Sequence, residues 1–341
     1  MKKAVLTGLL IGTIAVSSVF SAAGRDNSGA AGRLIIYSPN TEGMVNAIIP
    51  AFEAKTGVKV EIISIGTGEI WKRIESEKNS PQADVIWGGG QSTYIGSNLD
   101  LLEPYISAYN GDLIPQYQNI EGKVTLYCLD GSNLLVNKNL IGNIKVTSYA
   151  DLLNPALKGK LIFGDPTSSS SAFAQLTNIL LAVGGDYTSD KGWNYVRDLL
   201  IQLDGKSSQS SSGVWRGLSD GEYTVALTYE DPSATLVRDG APVQIVYPSE
   251  GAVWLAAASG IIKSAKNMDN AKQFMDYIIS KEAQDIFGTQ LTARPVRSDA
   301  ALGSYMTPIQ SINVIFEDTA YVRIHRQEII ERYRSILTSI R

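Results

Sequence analysis

Along the chain, short apolar runs alternate with amphipathic stretches of helical period. LIIYS at 34–38 is followed by apolar residues at Ile48, Ile49 and Phe52, and that pattern stops at Lys55-Thr56-Gly57, a C-terminal glycine signal. VKVEIISI at 58–65 then leads into GEIWKRIESEK at 68–78, repeating the strand-to-helix order. ADVIWGGG at 83–90, KLIFGD at 160–165 and TVALTYED at 224–231 are further apolar runs that exit into Ser, Thr, Gly and Asp-rich turns before the next helical segment. Repetition of this unit predicts an α/β chain with largely parallel sheets.

Two extended apolar stretches flanked by turn formers, YCLDGSNLLVN at 127–137 and VQIVYPSEGAV at 243–253, are expected to cross between two lobes. The tail carries Ile324, Ile329, Ile330, Tyr333 and Leu337 at helical spacing and is expected to pack on one lobe.

The chain has 341 residues, 44% hydrophobic and 19% charged, with a formal net charge of −4. That length supports one large or two medium domains, and the balance argues against disorder and against nucleic acid as a partner. Residues 1–24 have the lysine-rich start, apolar run and small-residue end of a secretory signal, with too short a run to span a bilayer. VFSAAG at 19–24 resembles a lipoprotein processing box in which Ala23 stands where the lipid-bearing cysteine would be. The expectation is an exported, periplasmic protein, tethered to the membrane only if a cysteine occupies that position. The single cysteine, Cys128, rules out an intrachain disulfide and reads as a buried thiol.

Much familiar chemistry has no residues to carry it. The one histidine, His325, lies far down the chain with no GxSxG elbow, which argues against a hydrolase triad. There is no GxxxxGK[ST], HExxH or CxxC motif, and GTGEIW at 66–71 lacks the third glycine of a dinucleotide fingerprint. No cofactor is implied.

Present instead are strand exits rich in neutral donors: SPNTEG at 38–43, GTGE at 66–69, GGGQST at 88–93, DPTSSSSA at 165–172, SSSGVWRG at 210–217 and TYEDPSA at 228–234. Ligands of open α/β sheets sit outside the carboxyl ends of strands. Serines before a helix also serve as ordinary caps. At 168–171 they precede a helical pattern whose free N–H groups and positive dipole end suit a phosphate or carboxylate, so Ser169, Ser170 and Ser171 read as an anion seat.

These segments resemble the solute-binding proteins of bacterial ABC importers, in the group of ferric-iron binders with their sugar-phosphate and phosphonate-binding relatives. The resemblance is carried by 34–61, 66–90, 157–172, 221–253, and NMDNAKQFMDYIISKEAQDIFG at 267–288 followed by ARPVRSD. It implies a two-lobed α/β periplasmic-binding-protein fold of type II, with lobes joined by crossing strands. The expected division is a signal peptide at 1–24, a flexible linker at 25–32, one lobe at 33–128 plus 250–297, and the other at 129–249 plus 298–341. It also implies a monomer that hands its ligand to a permease in the inner membrane.

Iron binders of this group use adjacent tyrosines, a glutamate and often a histidine. Here the tyrosine pair reads Tyr229-Glu230, no histidine stands near 40–42, and Glu69 matches the family glutamate. The anion seat without the full metal set points to a phosphorylated ligand, a hexose phosphate such as glucose 6-phosphate. Expected ligand-binding residues are Ser38, Asn40, Thr41, Thr67, Gly68, Ser168, Ser169, Ser170, Ser171, Trp215, Tyr229, Glu230 and Asp231. In this scheme Glu230 and Asp231 accept sugar hydroxyls, Trp215 and Tyr229 stack on the ring, and Arg294 or Arg297 neutralises the phosphate or forms a structural ion pair. Two alternatives stay open: ferric iron with a synergistic anion, held by Glu69, Tyr229 and Glu230, and a secreted phosphatase or glycosidase using Glu230 and Asp231. Against the latter, sequence neighbours seldom span the ~5–9 Å between glycosidase carboxyls, and the expectation is a binding protein and not an enzyme.

Overall fold

Strand β1 (Arg33–Ser38) and helix α1 (Glu42–Thr56) form the first expected unit. Thr41 caps the helix by accepting from Met44 N–H, and Gly57 ends it at φ 73°, with its N–H on Glu53 O. Only glycine takes that left-handed conformation without steric cost. The computed structural model describes residues 32–340. The signal at 1–24 and the linker, apart from Gly32, lie outside the described residues.

The chain continues through β2 (Lys59–Ser64), α2 (Thr67–Glu77), β3 (Val85–Gly90), a 3-10 turn at Gln91–Thr93, α3 (Ser97–Asp100) and β4 (Leu102–Glu103) to the long strand β5 (Thr125–Asn137). After β5 come β6 (Leu161–Gly164), α4 (Ser170–Gly184), α5 (Asp190–Leu203), β7 (Ser207–Ser208), α6 (Ser211–Ser219), β8 (Val225–Tyr229), α7 (Glu230–Arg238) and β9 (Val243–Val246). The second long strand, β10 (Ala252–Ile262), is followed by α8 (Met268–Ile278), α9 (Lys281–Thr289), β11 (Arg294–Pro295), β12 (Val314–Ile315), α10 (Thr319–Ile324) and α11 (Arg326–Ser339).

The main path of hydrogen-bonded strands runs β2-β1-β3-β10-β5-β8-β6-β7. Its wings are parallel, β1 with β2 and β3 on one side and β6 with β7 and β8 on the other. The centre is antiparallel, because β5 and β10 run against each other and against β3 and β8. The expectation of largely parallel sheets therefore holds for the wings alone.

Strand β5 changes partners half-way. Residues 125–131 pair with β10, whereas 132–137 pair with β8 and β9. Its residues enter three cores: Leu126 and Leu129 in one, Leu134 and Val136 in a second, and Leu135, on the opposite face of the strand, in a third. The fold is the two-lobed type II arrangement, with β5 as a crossing strand. The stretch 243–253 crosses as β9 and the start of β10 with 247–251 between them.

Residues around 299–312 stay with the first core: Tyr305 Oη donates to Leu291 O at 2.8 Å and Ile312 is one of its members. The tail is two helices broken at His325, not one. Val322, Ile329, Ile330 and Tyr333 pack into the second core, while Ile324, expected on the packed face, ends α10 next to the break and is 65% exposed. Cys128 is buried, and burial pushes its thiol well above its ordinary value.

In the first core, Phe52 is fully buried between Phe274 and Tyr277, with ring centroids 5.2 and 5.5 Å away. Phe52→Ala is expected to lower stability by about 3–5 kcal/mol in urea unfolding, and a loss below about 1 kcal/mol would contradict this packing account.

Candidate functional site

Between the lobes lies a cleft of about 760 Å³. One wall is the first turn of α4. Ser169 is its N-cap and accepts from Ala172 N–H at 3.3 Å, so Ser169 is spent on the helix, and Ser168 donates to Gln209 O. Ser170 and Ser171 line the cleft, with Phe173 and Ala174 one turn on. The anion seat expected at 169–171 is thus reduced to the latter two serines and the free helix amides.

Facing this turn is the C-terminal segment, which sets Phe316, Glu317, Arg323 and Arg326 into the cleft. Neither arginine has an ion-pair partner among the described residues. The Arg326 guanidinium lies 3.8 Å from the Phe173 ring centroid, and burial lowers its pKa. Two guanidiniums without an ion-pair partner beside a helix N-terminus favour an anion at this end of the cleft. Glu317 accepts from Thr177 Oγ1 at 2.8 Å, and burial holds its carboxyl above the usual range.

The floor is built where the lobes meet. Asp130 accepts from the amides of Glu230 and Asp231 at 3.1 and 3.3 Å, capping α7. Burial, then the neighbouring Asp231 and Glu230, raise its carboxyl well above the usual range. Ser132, Ser211, Tyr229 and Trp254 complete this region. Trp254 pairs with Gly131, where a Cβ would lie 2.7 Å from the indole, so only glycine lets the ring cross β5.

Several expected ligand residues are engaged elsewhere. Glu230 is 1% exposed, and both its oxygens are held by Arg294 and by Tyr247 Oη. It is a structural carboxylate, not a free reader of sugar hydroxyls. Asp231 accepts from Thr292 Oγ1 and lies outside the cleft lining. The two carboxylates are thus held by different partners. Arg294 is the partner of Glu230, and Arg297 pairs with Asp112 and Asp299, so neither is available to a phosphate. Ser38 and Asn40 both donate to Trp87 O, fastening the exit of β1 to β3, while Thr41 is a helix cap. Trp215 packs at the edge of the third core under Arg216, away from the cleft, and Gly68 is exposed outside it.

Of the expected set, Thr67, Ser170, Ser171 and Tyr229 do line the cleft. Glu69 is exposed on α2 and does not, and with Glu230 in its ion pair the three candidate iron ligands do not converge. Sequence reasoning missed Tyr117, Asp130, Trp254, Arg323 and Arg326. Asp130 had a signal, as the one charge in a 13-residue strand otherwise apolar or neutral. The arginines had none linking them to serines more than a hundred residues earlier.

Residues 47–311 match the family of bacterial extracellular solute-binding proteins. The chain belongs to that family. A Haemophilus influenzae protein with no assigned function is 30% identical over 288 residues, covering 80% of this chain and 81% of its own. Iron uptake protein A1 of Synechocystis is 23% identical, covering 84% of each chain. The periplasmic binding protein AfuA from Actinobacillus pleuropneumoniae, solved with exogenous fructose-6-phosphate bound, is 27% identical with a TM-score of 0.71, over 90% of this chain and 99% of that one. Among the described residues of this solute-binding protein, no helix is long and apolar enough to cross a membrane.

Removing one partner of a buried ion pair strands the other charge. Glu230→Ala is expected to cost about 3–5 kcal/mol in denaturant unfolding, with Glu230→Gln losing less; equal stability of Glu230→Ala and the parent would contradict a buried pair.

Proposed function

We propose that this solute-binding protein captures a phosphorylated small molecule, a hexose phosphate by preference, and delivers it to an ABC-importer permease in the membrane. The observation that carries the reading is the pair of unpartnered arginines, Arg323 and Arg326, in the same cleft as Ser170 and Ser171. The phosphoryl group lies at the first turn of α4, where amides and hydroxyls donate and the two guanidiniums balance its charge. Family membership and the likeness to a fructose-6-phosphate-bound protein support the same choice.

The mechanism is capture by closure. The helix N-terminus and arginines belong to the lobe of the second core, and α10 packs against the turn Gln91–Thr93 of the other lobe. Bringing these together excludes water, and the charge-assisted bonds to the phosphoryl strengthen as the local dielectric falls. In this reading the protein acts as a carrier, in keeping with its membership of a solute-binding family.

Calorimetric titration tests this. Glucose 6-phosphate is expected to bind and glucose to give no heat. Arg326→Ala is expected to weaken the sugar phosphate by roughly 10–100-fold, the loss of a charged hydrogen bond. Affinity is also expected to fall with added salt. No heat with the sugar phosphate, or unchanged affinity in Arg326→Ala, would sink the reading.

A further inference from the structure

Arg326 is the first residue of α11, a position where the helix dipole favours an acid over a base. Among the described residues its guanidinium has neither an ion-pair nor a hydrogen-bond partner, and it lies over the Phe173 ring, 3.8 Å from the centroid. No other cation of the described residues lies closer to a ring. Lys55, Arg73, Arg294 and Arg332 also sit over rings, but a carboxylate holds each of them as well. Arg326 is held by a ring alone.

That ring belongs to the first turn of α4. Phe173 is 4% exposed, packs in the second core and donates its N–H to Ser169 O at 3.0 Å. Ala172 N–H is taken by Ser169 Oγ, which leaves the amides of Ser170 and Ser171 as the free donors of this turn. Phe173 stands three residues after Ser170 and therefore on the same helix face. One turn thus carries both the amides offered to an anion and the ring on which a distant arginine rests.

At 3.8 Å a planar guanidinium meets the ring through its flat face. Its N–H donors point outward from the edge of that plane, so the ring occupies the face and leaves the edge free to donate to phosphoryl oxygens. An arginine loose in solvent loses rotamer freedom when it closes on an anion, and one already held loses less. We propose that Phe173 is a positioning residue of the anion end: its ring holds the Arg326 guanidinium at the α4 turn and so raises affinity for the phosphoryl group through Arg326. This rests on the anion-binding reading of that end. Its consequence is that the ring matters to binding only while Arg326 is present.

A double-mutant cycle tests this, by calorimetric titration of the full chain with glucose 6-phosphate. Phe173→Leu and Phe173→Met each remove the ring and keep an apolar side chain in the core, so the second serves if a thermal melt shows the first unfolded. In the parent background either is expected to weaken binding about three- to tenfold, the loss of a cation–ring contact. In the Arg326→Ala background the same substitution is expected to leave affinity unchanged, an outcome that damage to the α4 turn itself does not produce. Unchanged affinity of the Phe173 variants in the parent background, or equal weakening in both backgrounds, overturns the positioning role while the anion seat stands. A parent that does not bind glucose 6-phosphate, or one whose binding survives Arg326→Ala intact, overturns the anion-binding reading and the positioning role with it.

Discussion

The buried ion pair between Glu230 and Arg294 is the constraint on which the rest of the cleft depends. Arg294 lies on β11, which pairs with Cys128 and Leu129 in the first half of β5, whereas Glu230 opens α7, which packs beside the second half. The pair therefore straddles the residues where β5 passes from one sheet to the other. Desolvation offsets much of the attraction between two such buried charges, so the pair is weak evidence for stability. Its consequence is positional. Neither charge can be left alone in the interior, and β11 and α7 cannot part without exposing both.

Everything at the cleft floor follows from that anchor. With Glu230 fixed, the first amides of α7 are fixed, and Asp130 is held by accepting from them. With Arg294 fixed, Trp254 has a cation on one face, and Gly131 leaves room for the ring. The side links from Thr292, in the segment just before β11, to Asp231 and to Thr235 tie that segment to α7 as well. These contacts tie the two elements together at the point where β5 passes between the sheets.

The proposed anion end is built differently, from parts distant in sequence and held by packing. Arg323 in α10 and Arg326 at the start of α11 arrive beyond the family-matched residues 47–311. Their position is set by Val322, Ile329 and Tyr333, which bury against the core beneath α4. Phe173, on the same face of α4 as Ser170, then receives the Arg326 guanidinium.

The sequence by itself determined the local structure: strand-helix alternation, the glycine stop at Gly57 and the serine cap of α4. Each is decided by contacts within a few residues or by a period of two or 3.6, and such signals are written in order along the chain. Family-specific segments added the two-lobed architecture. What only the tertiary structure decided is which polar residues are free. Glu230 and Arg294 look equally available as letters in a sequence, yet burial together consumes both. Arg323 and Arg326 lie in an ordinary charged helix pattern, yet folding leaves them without acid partners in the cleft. Whether a charge is spent or offered depends on neighbours brought from far along the chain, and that pairing is a property of the packed fold.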